Sequence, residues 1–257
     1  MDALLGPDWL MVMAFAWGVA VLGGLVKGVV GFAMPMLVIS GLSTVMPPEV
    51  ALAGLILPTL VSNGWQALRQ GARAALGSLA KYRVFLLSGM ALLLVSAQFV
   101  RVIPEAVMLL LIGMPIIIYA GFALAGRPLR LPPNPGRRVE AGIGAVAGFF
   151  GGISGVWGPP TVAMLTALDT EKTEQMRVQG VIYGMGAVLL TGAHTASGVL
   201  NRATLPLSLS LIVPALLGLW IGFKLQDRID QRLFRRLTLA VLVVAGLNLV
   251  RRGIMVS

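Results

Sequence analysis

Five long stretches of this chain carry no charged residue: Val84–Val100, Ala106–Gly126, Ala141–Leu168, Val178–Asn201 and Ala203–Phe223. A helix crosses the hydrocarbon core of a bilayer with about 20 predominantly apolar residues, and each run approaches or exceeds that length. Charged residues make up 12% of the chain, against about 25% in soluble domains. Water is therefore not the main solvent. A membrane β-barrel would show alternating segments of about 10 residues, and the sequence contains no such pattern. The expected class is an all-α polytopic membrane protein.

A Gly/Pro-interrupted segment occurs twice, 124 positions apart. Gly18…Pro35 returns as Gly142…Pro159, with Gly18/Gly142, Gly24/Gly148, Gly28/Gly152, Gly31/Gly155 and Pro35/Pro159 coinciding. Broken apolar segments in matching places of two halves point to the binding site of a transporter. The connector 127–140, with four arginines, four prolines and a glycine, reads as a cytoplasmic linker between an N-terminal repeat, 1–126, and a C-terminal repeat, 141–257. Each half opens with a long block (about 9–46 and 141–168). Further segments follow at 49–68, 82–100 and 106–126, and at 178–200, 203–223 and a short one at about 237–250. That makes eight long segments. Proline removes a helix donor and clashes with the preceding turn, so each opening block is either a hairpin of short helices or one span plus a re-entrant half-helix.

Loop charge discriminates between these. With the N-terminus outside and each block read as a hairpin, 15 basic residues fall in inside loops and 4 in outside ones. The inside set is Arg69, Arg73, Lys81, Arg83, Arg127, Arg130, Arg137, Arg138, Lys172, Arg177, Lys224, Arg228, Arg232, Arg235 and Arg236. Single crossings give 11 against 8. Cytoplasmic loops are enriched in Lys and Arg, which selects two inverted repeats of about five segments each. The same rule explains the net charge of +10: these residues orient the chain and meet anionic lipid headgroups, and no nucleic-acid partner is expected. Met1–Asp8 has neither a basic region nor a small-residue cleavage site, so no removable leader is expected. The chain has no cysteine and one histidine, which excludes thiolate chemistry and Cys/His metal sites. No cofactor or metal is expected.

The Gly-rich opening segment ending in proline, its return after a basic linker, and the sequences Gly218-Leu-Trp-Ile-Gly222-Phe-Lys and Ala245-Gly246-Leu together resemble the sulfite exporter TauE/SafE family, also called the toluene-sulfonate uptake permease family. The resemblance covers nearly the whole chain. It implies a multi-pass carrier in the bacterial inner membrane that moves sulfite, sulfoacetate or a related sulfonate, and it does not transfer a particular substrate.

A small-anion carrier needs hydrogen-bond donors at mid-membrane. The backbone at Gly28, Gly31, Gly152 and Gly155 can approach an anion closely, and a half-helix N-terminus favours negative charge. The alternative use of such glycines is close helix packing. Lys27 is the only charge between Asp8 and Glu49, and an intramembrane ionisable residue is a functional candidate by default. Ser62, Asn63 and Gln66 form polar stripes on one helix, and Gln179 lies on the corresponding segment of the second half. Each is a candidate for substrate binding or for bonding between helices. His194 is a candidate proton-coupling group. Gly152-Ile-Ser154-Gly155 followed by His194 is similar to the order in rhomboid intramembrane proteases, which need a serine within reach of a histidine base. Since Gly28-Val-Val-Gly31 keeps the glycines without the serine, Ser154 reads instead as a polar liner. An anion channel would need charged collars or subunit rings, and the two-half chain gives neither. The expected function is secondary transport of a small sulfur-containing anion, in the export direction, by alternating access. The expected partners are that anion and membrane lipid, with a second copy of the chain as a candidate.

Overall fold

The structure is a computed structural model that describes residues 9–96, 104–127, 131–132, 136–154 and 158–256. Every regular element among them is helical. The chain divides into two compact units, one formed by 1–75 and 176–230, the other by 76–175 and 231–257. Each unit thus draws on both halves of the sequence.

The first unit opens with α1 (Trp9–Val30), followed by α2 (Met34–Leu42) and α3 (Pro48–Leu68). The chain reverses between α1 and α2 through Gly31 at φ 89° and Ala33 at φ 74°. Side chains other than glycine avoid this region, so Ala33 holds a strained conformation. Pro35 stands in the first turn of α2, where its missing N–H leaves no intrahelical bond unmade. Gly41 lies beside Val19 and Gly23 beside Val38, so α2 runs back antiparallel along α1. Its nine residues rise roughly 13 Å at 1.5 Å each, too little to cross a bilayer. The opening block is therefore one helix of spanning length and a short helix folded onto it.

The same unit contains most of α9 (Lys172–Ala196), α10 (Leu205–Ser210) and α11 (Ile212–Arg228). Met13, Ala16 and Ala20 of α1, Met34, Val38 and Leu42 of α2, Ala51 and Leu55 of α3, Leu207 of α10, Leu211 just before α11 and Ala215 within it contribute to its apolar core. Their three- and four-residue spacings put each set on one helix stripe. α1 and α11 cross through two small-residue pairs. A Cβ at Gly24 would run into the Ala215 carbonyl and one at Gly28 into Leu219 and Gly222; one at Gly218 would strike the Val21 carbonyl. Gly-x-x-x-Gly surfaces let helix backbones approach in this way.

Pro58 lies inside α3 and leaves the Gly54 carbonyl without its helical donor. The Ser208 hydroxyl of α10 donates to that carbonyl at 3.2 Å and accepts from the Leu57 amide at 3.1 Å. Ser208 is fully buried, so without it the Gly54 carbonyl would lose this donor. Ser208→Ala is expected to cost about 1–3 kcal/mol, read as a lowered thermal midpoint in detergent.

The second unit contains the end of α4 (Ala72–Lys81), α5 (Arg83–Ser96), α6 (Glu105–Leu124), α7 (Gly136–Ser154), α8 (Gly158–Ala167) and α12 (Gln231–Val256). α5 packs on α7, where a Cβ at Gly148 would run into the Gly89 carbonyl and one at Gly144 into Phe85. The Glu140 carboxylate of α7 accepts from the Phe85 amide at 3.2 Å, satisfying a first-turn donor of α5. α6 packs on α12 through Gly113 and Gly246. Pro159 occupies the first turn of α8, as Pro35 does in α2.

Among the described residues four helical spans are long and apolar enough to cross a membrane: α1, α3, α10 with α11, and α12; α4 and α5, bent by 73°, make a fifth if taken as one span. Of the eight long segments expected, α6 has a shorter apolar stretch at Leu109–Leu124, and the α9 segment begins with the polar run Lys172-Thr-Glu-Gln-Met-Arg. The last segment, expected to be short at 237–250, is instead a helix of 26 residues. Arg232, Arg235 and Arg236 interrupt its hydropathy but not its helix, because arginine is a good helix former.

Candidate functional site

Three helices of the first unit bring polar side chains to the end of α1. Lys27, one turn before the reversal at Gly31, is 1% exposed. Its Nζ donates to Ser62 Oγ at 2.8 Å and to Asn63 Oδ1 at 2.5 Å, both on α3. Both acceptors are themselves tied. The Ser62 hydroxyl donates to the Thr59 carbonyl at 3.2 Å, and Asn63 Nδ2 donates to the Tyr183 carbonyl of α9 at 3.3 Å. A buried charge is normally paired with an opposite one. Among the described residues Lys27 has no carboxylate partner, and its ligands are neutral.

Gln66 and Gln179 close the reversal. A helix ends with carbonyls that have no intrahelical donor. Gln66 Nε2 reaches the Gly31 carbonyl at 3.1 Å and the Met176 carbonyl at 2.8 Å. With its amide nitrogen facing the same turn, Gln179 donates to the carbonyls of Val30 and Gly31 at 3.2 Å each. Two side-chain amides from α3 and α9 thus clasp the end of α1. The clasp is close-fitting, because a Cβ at Gly31 would overlap the Gln179 amide and one at Gly180 would meet the Ala67 amide at 2.5 Å. Two buried polar atoms in the cluster, Gln66 Oε1 and Thr59 Oγ1, have no partner among the described residues. Gly31→Ala would both displace Gln179 and force a side chain into positive φ. It is expected to cost about 1–3 kcal/mol and to lower any activity of the site, checked by thermal unfolding together with flux.

The structure thus brings together Lys27, Gly31, Ser62, Asn63, Gln66 and Gln179 within one unit. Gly28 lies beside Lys27 but faces Gly222 of α11. Gly152 and Ser154 fall in the last turn of α7, in the other unit, and Gly155 lies outside the described residues. His194 is near the end of α9, about three turns beyond Tyr183, and outside the hydrogen-bonded cluster. The part of Gln66 and Gln179 as caps was not visible in the sequence. Its one signal was a Gly-x-x-Gly break that leaves carbonyls needing donors. The packing pair Gly24/Gly28 with Gly218/Gly222 was also legible only as spacing, with nothing to say that α1 and α11 meet.

A family model described as sulfite exporter TauE/SafE matches residues 16–249. No curated protein and no solved structure matches the chain.

Proposed function

We propose, since the chain belongs to the sulfite exporter TauE/SafE family, that it is a secondary carrier moving a small sulfur-containing anion such as sulfite, sulfoacetate or a related sulfonate out across the bacterial inner membrane. The family is one of transporters, which removes the protease reading. The observation that carries the proposal is Lys27, a fully buried amine whose ligands among the described residues are neutral. A substrate anion would be its counter-charge, with Ser62 and Asn63 beside it. The first-turn amides of α2, at the far side of the reversal, are donors with no carbonyl of their own helix to bind, and the helix dipole favours negative charge there.

Alternating access between two inverted repeats, 1–126 and 141–257 joined by the linker 127–140, is part of the same proposal. Two pairings support it. The opening helix of the first half, α1, packs on α11 of the second, and the opening helix of the second half, α7, packs on α5 of the first. The repeated glycines Gly24 and Gly148 both lie in these contacts. Export follows from charge, because an inside-negative potential drives an anion outward with roughly 2.3 kcal/mol per charge per 100 mV. The deciding experiment is radiolabelled sulfite and sulfoacetate flux in proteoliposomes under an imposed potential. Saturable flux that the potential accelerates outward is the expected result. No flux of either anion in either direction would sink the proposal.

A further inference from the structure

We infer that Lys27 rests as a neutral amine in the empty site and is protonated only when an anion is beside it, so that the site loads one proton with each anion. This deepens the carrier reading and rests on it.

The hydrogen-bond count carries the inference. A neutral amine has two N–H donors and an ammonium has three. Lys27 Nζ has two acceptors, Ser62 Oγ and Asn63 Oδ1. Both act as acceptors here, because the Ser62 proton has the Thr59 carbonyl and the Met34 sulfur to donate to, and Asn63 donates through Nδ2 to the Tyr183 carbonyl. Among the described residues no third acceptor is bonded to Nζ. Among the described residues a third N–H would have no acceptor, and a full charge there would have no opposite charge bonded to it. A buried ionisable group in that position gives up its charge instead.

Among the described residues no charged group bonds to Lys27. The helices packed around α1 carry these titratable groups: none on α2 or α10; Glu49 in the exposed first turn of α3; Lys224, Asp227 and Arg228 toward the end of α11; and Lys172, Glu174, Arg177, Tyr183 and His194 on α9. None of them bonds to Lys27. Asp227 pairs with Arg69, and Glu174 with Lys81. An anion entering the site provides both things that are missing, an acceptor for the third N–H and the opposite charge. The loading step is then Lys27–NH2 plus a proton plus the anion, giving Lys27–NH3+ beside the anion; release reverses it and returns the proton. A monovalent sulfonate would cross without net charge, so under this coupling the outward drive from the potential applies to dianions such as sulfite and sulfoacetate. A dianion such as sulfoacetate would cross with one net negative charge, which the membrane potential still drives outward.

The test is calorimetric titration of the purified full chain with sulfoacetate, in two buffers of different ionisation enthalpy. A mildly alkaline pH is used, where imidazole is already neutral. The expected result is uptake of about one proton per anion, with affinity falling about tenfold per pH unit on the alkaline side. Lys27→Arg, whose guanidinium stays charged, should bind with no proton uptake. Binding by the native chain without proton uptake would overturn this inference and leave the carrier reading standing. So would uptake that persists in Lys27→Met or Lys27→Arg. If the native chain neither binds nor carries sulfite or sulfoacetate, both readings fall.

Discussion

Gly24→Leu is expected to leave no correctly folded protein. The α1–α11 contact is made of backbone against backbone. A Cβ at Gly24 meets not only the Ala215 carbonyl but also the Leu219 amide nitrogen at 2.9 Å. No flexible side chain is available to move aside, so the helices would have to separate. Separation would open the core that Ala16, Ala20, Leu211 and Ala215 share, and it would displace Lys27, which lies one turn further along α1. Apolar helices gain little from a hydrophobic effect inside a bilayer, so close packing of this kind carries much of their association. A loss above about 4 kcal/mol is the expected scale for such overpacking combined with lost contacts. The readout is monodispersity and thermal midpoint in detergent. Gly18→Ala is the contrasting variant. Nothing lies within 4 Å of a Cβ there, and alanine is favoured over glycine in a helix by about 0.5–1 kcal/mol. Gly24→Leu with an unchanged midpoint would refute the packing role.

Lys27→Met is expected to abolish transport while sparing the fold. Methionine fills a similar volume and removes the need to bury an amine. Two acceptors, Ser62 Oγ and Asn63 Oδ1, lose their donor, at about 1–3 kcal/mol each. Replacing a buried polar group by an apolar one of similar volume offsets part of that. The chain should therefore still purify as a folded protein. Anion binding is different, because the variant would offer a buried negative charge no counter-charge. Truncating one partner of a buried charge pair costs about 2–5 kcal/mol, which corresponds to about thirtyfold to several thousandfold in affinity at 1.4 kcal/mol per decade. Flux measured well below saturation should fall by the same factor. Retained flux in a folded Lys27→Met would remove Lys27 from the site, and with it the observation on which the functional proposal stands.

The two variants separate glycines that look alike in the sequence. Gly18/Gly142 and Gly24/Gly148 are equally good repeat pairs. Both members of the first pair face open space and both members of the second face a backbone. Spacing shows that a glycine recurs, but not which neighbour it meets. The polar residues show a related limit. Ser62, Asn63 and Gln66 were recognisable as stripes on one helix, and Lys27 as the lone charge of the first block. Gln66 and Gln179 were candidates for the same site by helical spacing and by their places on corresponding segments of the two halves. Their amides are spent on the carbonyls at the end of α1, a role set by where α3 and α9 pass. His194 is set apart for the same reason: α9 is long enough to carry it about three turns from the cluster.

The sequence by itself determined the solvent, the helical class and the position of the break. Uncharged runs of that length have no stable place in water, and a Gly-x-x-Gly followed by proline cannot continue a helix. It also singled out Lys27, because a charge inside an apolar block is conspicuous wherever the block ends up. Only the tertiary structure decided that α2 folds back along α1, that α1 meets α11, and that the Lys27 amine finds two neutral acceptors and, among the described residues, no carboxylate. Those facts concern which helix faces which. In an apolar chain many faces are nearly interchangeable in hydropathy. The choice among them rests on close steric fit and on satisfying buried polar groups, and neither can be read from one segment taken alone.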